Sequence, residues 1–513
     1  MSIPIPAEDP RHVPNRAVVD TSAITHNTRV IADSLREHTA LMAVVKADGY
    51  GHGMLSAARA AVAGGATWLG VAHPASALAL SRAGIEVPIF SWLYEPRTAA
   101  EILPAVVAEG VEISVGSLAM LKMVSDAARQ ADRRARVHVK IDTGMGRNGA
   151  LPAKLAAIGS AAREDEFIRL SGAWTHLSAA DDPEDPMTDQ QVEIFDSSCE
   201  ALEEEAGPIP LQHLANTAAT LTRRDLHRDI VRPGIGLYGY PPVATDLDLR
   251  PALTLTSRLA LVKDVPAGQT VGYGHRFTTT APTRLGLVPM GYADGLPRAA
   301  SGGVSVLVRS DDGDHRAQQV GRISMDQIVV DLGSESRARA GDEVVLFGAA
   351  QALAPLDEDA SGVAVTPQFV ATAQTQQEQD PETRQERDPE TQQEQRPETA
   401  PESEAETGPV YEPEPGPASD ADGPTEPRAG TEPESPGTTE TSGATETSAT
   451  TETSGTSDEA PSAPALADLS AADPTLPEDH PGVPTADDWA LAAGTIPYEI
   501  LTSVSNRVPR EQR

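Results

Sequence analysis

A single cysteine, Cys199, in 513 residues rules out an intrachain disulfide and sets a reducing, cytoplasmic environment as the expectation. Long apolar runs are missing too. No stretch approaches the ~20 residues that a membrane helix requires, and the opening MSIPIPAEDPRHVPNR has no basic-then-apolar signal pattern. Positive charge is outnumbered, 40 Lys+Arg against 76 Asp+Glu, for a formal net charge of −36. Such acidity argues against nucleic acid and anionic membranes as partners. Lysine is the scarcest cation: Lys46, Lys122, Lys140, Lys154 and Lys263 are the whole set. A lysine kept where arginine is the rule is a candidate for chemistry that needs an amine.

Charge and proline are unevenly spread. Residues 351–480 hold 30 acidic and 4 basic residues and 18 of the 43 prolines, with few large apolar side chains. Two short repeats run through them, QQEQDPET/RQERDPET/QQEQRPET over 376–399 and TETSGA/TETSAT/TETSGT over 439–456. Neither unit has apolar positions to stack, so no solenoid core can form and a disordered acidic insertion is predicted. Its composition fits a solvating spacer, with an acidic docking segment for a basic partner as the second reading, and no partner for it is identified.

From about 17 to 245 short apolar runs alternate with Ala-rich helical stretches. AVVD (17–20) leads through Thr21 and Ser22, read as N-caps, into a helix. LMAVVK, WLGVA, VPIFS, VEISV, VHVKID, LSGAWTH, LQHLAN and IVRPGIGLYG follow. Unalternated runs of this length suit parallel strands covered on both faces, and eight or nine of them fit a (β/α)8 barrel. An open doubly wound sheet is second choice, because no GxGxxG follows the first strand. Short strands punctuated by Gly, Asp and Pro follow between 250 and 348, a mostly antiparallel β domain. The expected layout is therefore a barrel over 12–245, a β domain over 246–350, the insertion over 351–480, and a segment over 481–513 that completes the β domain.

Several runs carry chemistry. In AVVKADGYGHG (43–53) Lys46 ends an apolar strand, where burial would lower its pKa and suit Schiff-base formation with a carbonyl or pyridoxal phosphate. Tyr50 and the adjacent Gly-rich backbone could approach a phosphate. VKIDTGMGRNG (139–149) places Lys140 and Arg147 on a strand and its turn, and an arginine there suits capture of a carboxylate or phenolate. His176, Asn216 with Thr217, and Arg232 with Gly234 and Ile235 lie at further strand ends. His176 and His213 lack HxH or HxxxH neighbours and the cysteine has no partner, so no metal site is expected. In the β domain, Tyr273 and Tyr292 stand in Gly-flanked turns, and GRISMDQ holds Met325 and Asp326.

Taken together, AVVKADGYGHG, KIDTGMGR, HLANTAATL, VRPGIGLYG, GYADG and GRISMDQ, in this order, resemble the alanine racemase family of pyridoxal-phosphate enzymes. The resemblance implies a (β/α)8 barrel, a C-terminal β domain, and a head-to-tail homodimer with shared active sites. It implies that Lys46 binds the cofactor and acts as base on one face of alanine, with Tyr273 of the partner subunit on the other. Tyr50, Asn216, Thr217, Gly234 and Ile235 become phosphate-side residues, Arg232 the partner of the pyridine nitrogen, and His176 the link from Arg232 to the catalytic tyrosine. Arg147 and Met325 would contact the substrate carboxylate, and Lys140, often carbamylated in the family, would orient Arg147. Tyr292 would gate access to the site, with Asp326 in support beside Met325. At SVSNRVPR, where the family often has a tyrosine contacting the phosphate, this chain has Asn506. The implied role is D-alanine supply for peptidoglycan. The alternatives are a serine or broader-specificity racemase of the same fold, and a non-catalytic cofactor carrier, against which the Tyr273 and Met325 motifs speak.

Overall fold

The computed structural model describes residues 13–349 and 482–513, which lie in one compact unit. The segment expected to be an acidic insertion lies outside the described residues. The strands are β1 (Arg16–Val19), β2 (Ala40–Val44), β3 (Trp68–Val71), β4 (Ile89–Ser91), β5 (Glu112–Val115), β6 (Ala135–Lys140), β7 (Ile168–Trp174), β8 (Leu211–His213) and β9 (Ile230–Val231). In the second half are β10 (Leu253–Arg258), β11 (Leu261–Val265), β12 (Thr270–Val271), β13 (Phe277–Thr278), β14 (Thr283–Val288), β15 (Ser305–Ser310), β16 (Gly313–Val320), β17 (Ile328–Asp331), β18 (Glu343–Phe347) and β19 (Arg510–Gln512).

Strands β2 to β9 form an eight-stranded parallel sheet in the order β8-β7-β6-β5-β4-β3-β2-β9. Its two edges meet through Asp229 N–H to the Gln212 carbonyl (3.2 Å) and Arg232 N–H to the Ala215 carbonyl (2.9 Å), which closes the barrel. Outward residues such as Val137, Val139, Ile113 and Val115 pack under the helices, which is why these strands read as apolar. The inner face is different: Met42, Phe90, Trp174 and Ile230 form a separate cluster. Ser117 and Glu95 cap helices Leu118–Gln130 and Pro96–Ala108 with side-chain hydrogen bonds.

The first strand corrects one expectation. β1, read as the opening unit of the barrel, pairs antiparallel with β10 and parallel with β19. It belongs to a nine-stranded sheet, β11-β14-β17-β16-β15-β18-β10-β1-β19, in which β1–β19 is a parallel pair among antiparallel ones. Among the described residues the chain therefore runs from this sheet into the barrel and back to the sheet. The first helix, Thr21–Ser34, is capped by Asp20, not by Thr21 or Ser22: the Asp20 carboxylate accepts from the Ser22 and Ala23 amides. The C-terminal segment joins the same domain. Helix Ala486–Ala493 starts in a capping box of Thr485 and Asp488, and its Trp489, fully buried, donates to the Leu346 carbonyl at 2.8 Å. Among the described residues no helix is long and apolar enough to cross a membrane.

Candidate active site

Five barrel strands deliver polar side chains to their C-terminal ends. Lys46 follows β2, Lys140 ends β6 with Arg147 in the next loop, His176 follows β7, Asn216 and Thr217 follow β8, and Arg232, Gly234 and Ile235 follow β9. This is the end of the barrel at which sites are built. Five motifs scattered over 190 residues of sequence thus converge on one rim.

Lys46 opens a turn of unusual backbone. Ala47, Asp48, Gly49, Tyr50 and Gly51 all have positive φ, from 51° to 83°. Three of the five carry a Cβ, and each such residue costs on the order of 1 kcal/mol, so the surroundings must hold the turn in place. They do: Gly53 N–H donates to the Asp48 carbonyl (2.8 Å), Met54 N–H to Asp48 Oδ1 (2.8 Å), and Arg510 Nε to the Gly51 carbonyl (2.7 Å). Tyr50 is buried against Tyr238 (4.8 Å between rings) and Tyr498 (5.9 Å). Its hydroxyl reaches Gly234, where a Cβ would stand 2.2 Å from the phenolic oxygen, so only glycine permits the approach. Gly234 N–H donates to Thr217 Oγ1 at 2.9 Å, and Asn216 caps helix Thr217–Thr222. Hydroxyls and backbone amides therefore converge at one point.

The rest of the mouth is cationic. Lys46 has its pKa lowered by burial and by Arg147. That of Lys140 is pushed well down by burial, then by Arg232 and Arg147, with Asp142 opposing. Lys140 Nζ lies 2.6 Å from His176 Nδ1 and 4.0 Å from the centre of the Trp174 ring. Burial, followed by Lys140, Arg232, Arg147 and Lys46, holds His176 neutral. Two amines are thus kept below the usual lysine range, and a neutral amine is a base and a nucleophile.

Arg232 is buried, and burial lowers its pKa to about 9. It donates to the Thr175 carbonyl (2.7 Å), the Leu214 carbonyl (3.3 Å) and His213 Nδ1 (3.2 Å). The ring bonded to Arg232 is therefore His213; His176 is bonded to Lys140 instead. A chain continues inward: His213 Nε2 to His138 Nδ1 (2.9 Å), His138 Nε2 to Glu112 Oε2 (2.8 Å), and Arg136 Nε to Glu112 Oε1 (3.0 Å). Because the arginine only donates, one assignment satisfies every link: both rings neutral with their protons on Nε2, donating toward the carboxylate. Sequence reasoning missed Glu112, His138 and the contact of His213. The available signal was period two: Arg136, His138 and Lys140 alternate with Val137 and Val139 along β6.

The remaining sequence-derived residues sit elsewhere in the chain, on one rim of the antiparallel domain. Tyr273 lies in the turn between β12 and β13, 72 % exposed, with no hydrogen bond from its hydroxyl among the described residues. Gly272 packs against Arg322 (3.4 Å from a Cβ to its amide), and Ala293 N–H donates to the Met325 carbonyl (2.9 Å), placing Tyr292 beside Met325. Met325 is 53 % exposed, and Asp326 pairs with Arg507 at 2.8 Å. Asn506 is exposed. Among the described residues no group of three or more His, Cys, Asp or Glu is placed to hold a metal.

Two family models match the chain: "Alanine racemase, N-terminal domain" over 19–242 and "Alanine racemase, C-terminal domain" over 252–378. The alanine racemase of Thermobifida fusca is 43 % identical over 338 residues, covering 65 % of this chain and 88 % of the relative. That of Streptomyces coelicolor is 45 % identical over 365 residues, 67 % of this chain and 89 % of the relative. The crystal structure of alanine racemase from D-cycloserine-producing Streptomyces lavendulae superposes with a TM-score of 0.68 at 33 % identity, covering 98 % of this chain and 97 % of that one. The barrel, the antiparallel domain and these likenesses agree: the chain belongs to the alanine racemase family of isomerases.

Proposed function

We propose that this protein interconverts L- and D-alanine with pyridoxal 5'-phosphate held at the barrel mouth, each mouth being completed by the antiparallel domain of a second copy. The observation that carries the reading is the Lys46 amine, held below the ordinary lysine pKa at the end of β2 and 5.8 Å from the centre of the Tyr50 ring, whose hydroxyl reaches Gly234. The residues there fit the group: the Tyr50 and Thr217 hydroxyls both lie beside Gly234, which has no Cβ to displace the Tyr50 oxygen, and Asn216 and Ile235 are their neighbours in sequence. When bound, pyridoxal phosphate supplies an electron-withdrawing ring that acidifies the α-hydrogen of an amino acid joined to it.

The chain's own residues do the rest. Lys46 removes or returns a proton at the substrate α-carbon on one face, and Tyr273 of the partner subunit does so on the other. One base per face is the minimum for inversion. Arg232 keeps a cation against the pyridine nitrogen and so opposes its protonation. Arg147 and the Met325 backbone hold the substrate carboxylate, with Tyr292 gating access and Asp326 in support. His176, kept neutral chiefly by burial, holds Lys140 through Nδ1 at 2.6 Å. Lys140, its pKa pushed well down by burial and then by Arg232 and Arg147, suits carbamylation, in which its free amine adds CO2 and loses a proton to leave an anion that orients Arg147. The second copy is supported by Tyr273, Tyr292 and Met325, apolar side chains clustered and exposed on one rim. D-Alanine for peptidoglycan is the product role that the family membership supports.

Racemisation of L-alanine, L-serine and L-lysine by the holoenzyme, with Lys46→Arg and Tyr273→Phe beside it, tests the proposal. Lys46→Arg should abolish turnover, and borohydride followed by peptide mapping should label Lys46. Tyr273→Phe should impair proton exchange from L-alanine more than from D-alanine. Racemisation by Lys46→Arg, or an unlabelled Lys46, would refute the assignment.

A further inference from the structure

The opposite end of the barrel has a feature that racemisation does not use. Where β5, β6 and β7 begin, a cavity of about 210 Å³ opens, with Gly110 and Val111 in its wall together with Arg133, Arg134, Arg136 and Arg169. No acidic residue lines it. Arg133 and Arg134 immediately precede β6, while Arg136 and Arg169 are the second residues of β6 and β7, so strand alignment brings all four together.

Four guanidinium groups around one cavity repel one another, a repulsion that solvent weakens because Arg133, Arg134 and Arg169 are exposed and that a bound anion would reverse into attraction. Among the described residues Arg136 alone of the four has a carboxylate within 4.0 Å, Glu112 at 3.0 Å. Elsewhere this acidic chain pairs its arginines readily, as in Arg129–Asp165, Arg223–Asp225 and Arg228–Asp196. Here backbone carbonyls fix the guanidinium groups instead: Arg133 donates to Ala108, Arg134 Nε to Ile168 (2.9 Å), and Arg136 Nη2 to Gly110 (2.9 Å). Arg133 also lies over Gly110, where a Cβ would come within 2.6 Å of its Nη2. Each anchored fork keeps further N–H donors, already positioned for a ligand with several acceptor oxygens.

We propose that this cavity is an anion site that takes a multivalent oxyanion through bidentate guanidinium contacts. A volume of about 210 Å³ equals roughly seven waters, which accommodates a diphosphate-sized group. The site is wired to the mouth, because an anion that engages Arg136 competes with Glu112, the terminus of the chain that runs through His138 and His213 to Arg232. Its occupancy therefore alters the charge felt by the His138 ring. The same oxyanion chemistry has two sources, a free phosphate compound and the carboxylates of residues 351–480 of this chain.

Sodium pyrophosphate titrated into the full-length holoenzyme by calorimetry at low salt tests the site, with the phosphate cradle at the mouth already filled by cofactor. Saturable binding of one pyrophosphate per chain is expected. Arg169→Gln, which removes no hydrogen bond among the described residues, should weaken it by about tenfold, the loss of one charge-assisted contact. Ring-nitrogen NMR signals of His138 should move with occupancy. Tighter pyrophosphate binding after deletion of 356–480 would identify the chain's own carboxylates as the competing occupant, and unchanged binding a free anion; both support the site. Absence of saturable binding, or parental affinity in a folded Arg169→Gln variant, would overturn it.

Discussion

Gly234→Ala tests the proposed phosphate cradle at its tightest point. The added methyl would stand 2.2 Å from the Tyr50 hydroxyl oxygen and 2.9 Å from the adjacent ring carbon, where ordinary contacts begin at 3.4 Å. The hydroxyl must retreat by about 1.2 Å. It has little room, because the ring is buried between Tyr238 and Tyr498 and the Tyr50 backbone is fixed at φ 52°. Overpacking of this kind costs about 1–3 kcal/mol of stability. Moving the hydroxyl off a charged phosphate oxygen forfeits roughly 1.5–3 kcal/mol, which weakens cofactor binding by about 10- to 150-fold. The assay is a spectroscopic titration of the stripped protein with pyridoxal phosphate, alongside thermal unfolding without cofactor. Gly84→Ala serves as the control: it has positive φ but nothing within 4 Å, so it should lose a little stability and no affinity. In a Tyr50→Phe background the closest overlap is gone, so Gly234→Ala should cost less there, a coupling of about 1 kcal/mol or more. Cofactor affinity within about twofold of the parent, or strict additivity, would refute the reasoning.

Two other perturbations address stability. His52 is fully buried, its ring bonded to the Tyr50 carbonyl at 2.9 Å, and burial lowers its pKa from 6.5 to about 4 against the opposing pull of the Tyr50 and Gly49 carbonyls. Between those two values the unfolded chain binds a proton that the folded chain refuses, so stability falls as pH drops through that window, by up to about 3 kcal/mol. Urea midpoints at pH 7.5 and 4.5 measure this, and His52→Gln should flatten the slope; an unchanged slope would contradict it. Trp489→Ala removes a buried ring from Phe347 (6.4 Å between centroids) and orphans the Leu346 carbonyl, an expected loss of about 3–5 kcal/mol by denaturant unfolding. A loss below about 1 kcal/mol would show that the C-terminal segment contributes little to the antiparallel domain.

The barrel was legible because its strands are covered on both faces and read as unbroken apolar runs. The same texture misled at β1. RAVV looks like any barrel strand, and its three apolar residues do not specify a partner when that partner, Arg510–Gln512, lies at the other end of the chain. Asp20 was passed over as a cap in favour of the hydroxyl residues after it, although its carboxylate reaches two amides. At the site, residues next to glycine-rich turns were legible, since those turns mark where strands end. Glu112, His138 and His213 were not, because residues inside a barrel carry polar side chains among apolar neighbours and their pairing depends on strand register, Ser114↔His138 and Trp174↔His213. Local pattern contains no register.

The C-terminal segment shows why so long an interruption can be accommodated in this chain. Residues 482–513 carry Arg510, which donates to the Gly51 carbonyl and to Val504 (2.8 Å), and Gln512, which reaches the His52 carbonyl (3.3 Å). The Leu501 carbonyl packs on Gly51, where a Cβ would come within 2.4 Å. The left-handed turn that presents Lys46 is thus held by residues separated from it by nearly the whole chain. The two ends of the interruption are themselves pinned: Gly348 N–H donates to the Pro484 carbonyl at 3.0 Å, and Arg316 Nε to the Gly482 carbonyl at 2.6 Å. Between ends fixed in this way, any flexible segment of the length of the insertion expected from the sequence would cost only about 2 kcal/mol more to close than one of ten residues, because the entropy grows with the logarithm of length. Anchors of the kind Trp489 supplies exceed that cost, so the clamp on Lys46 survives the length of what precedes it.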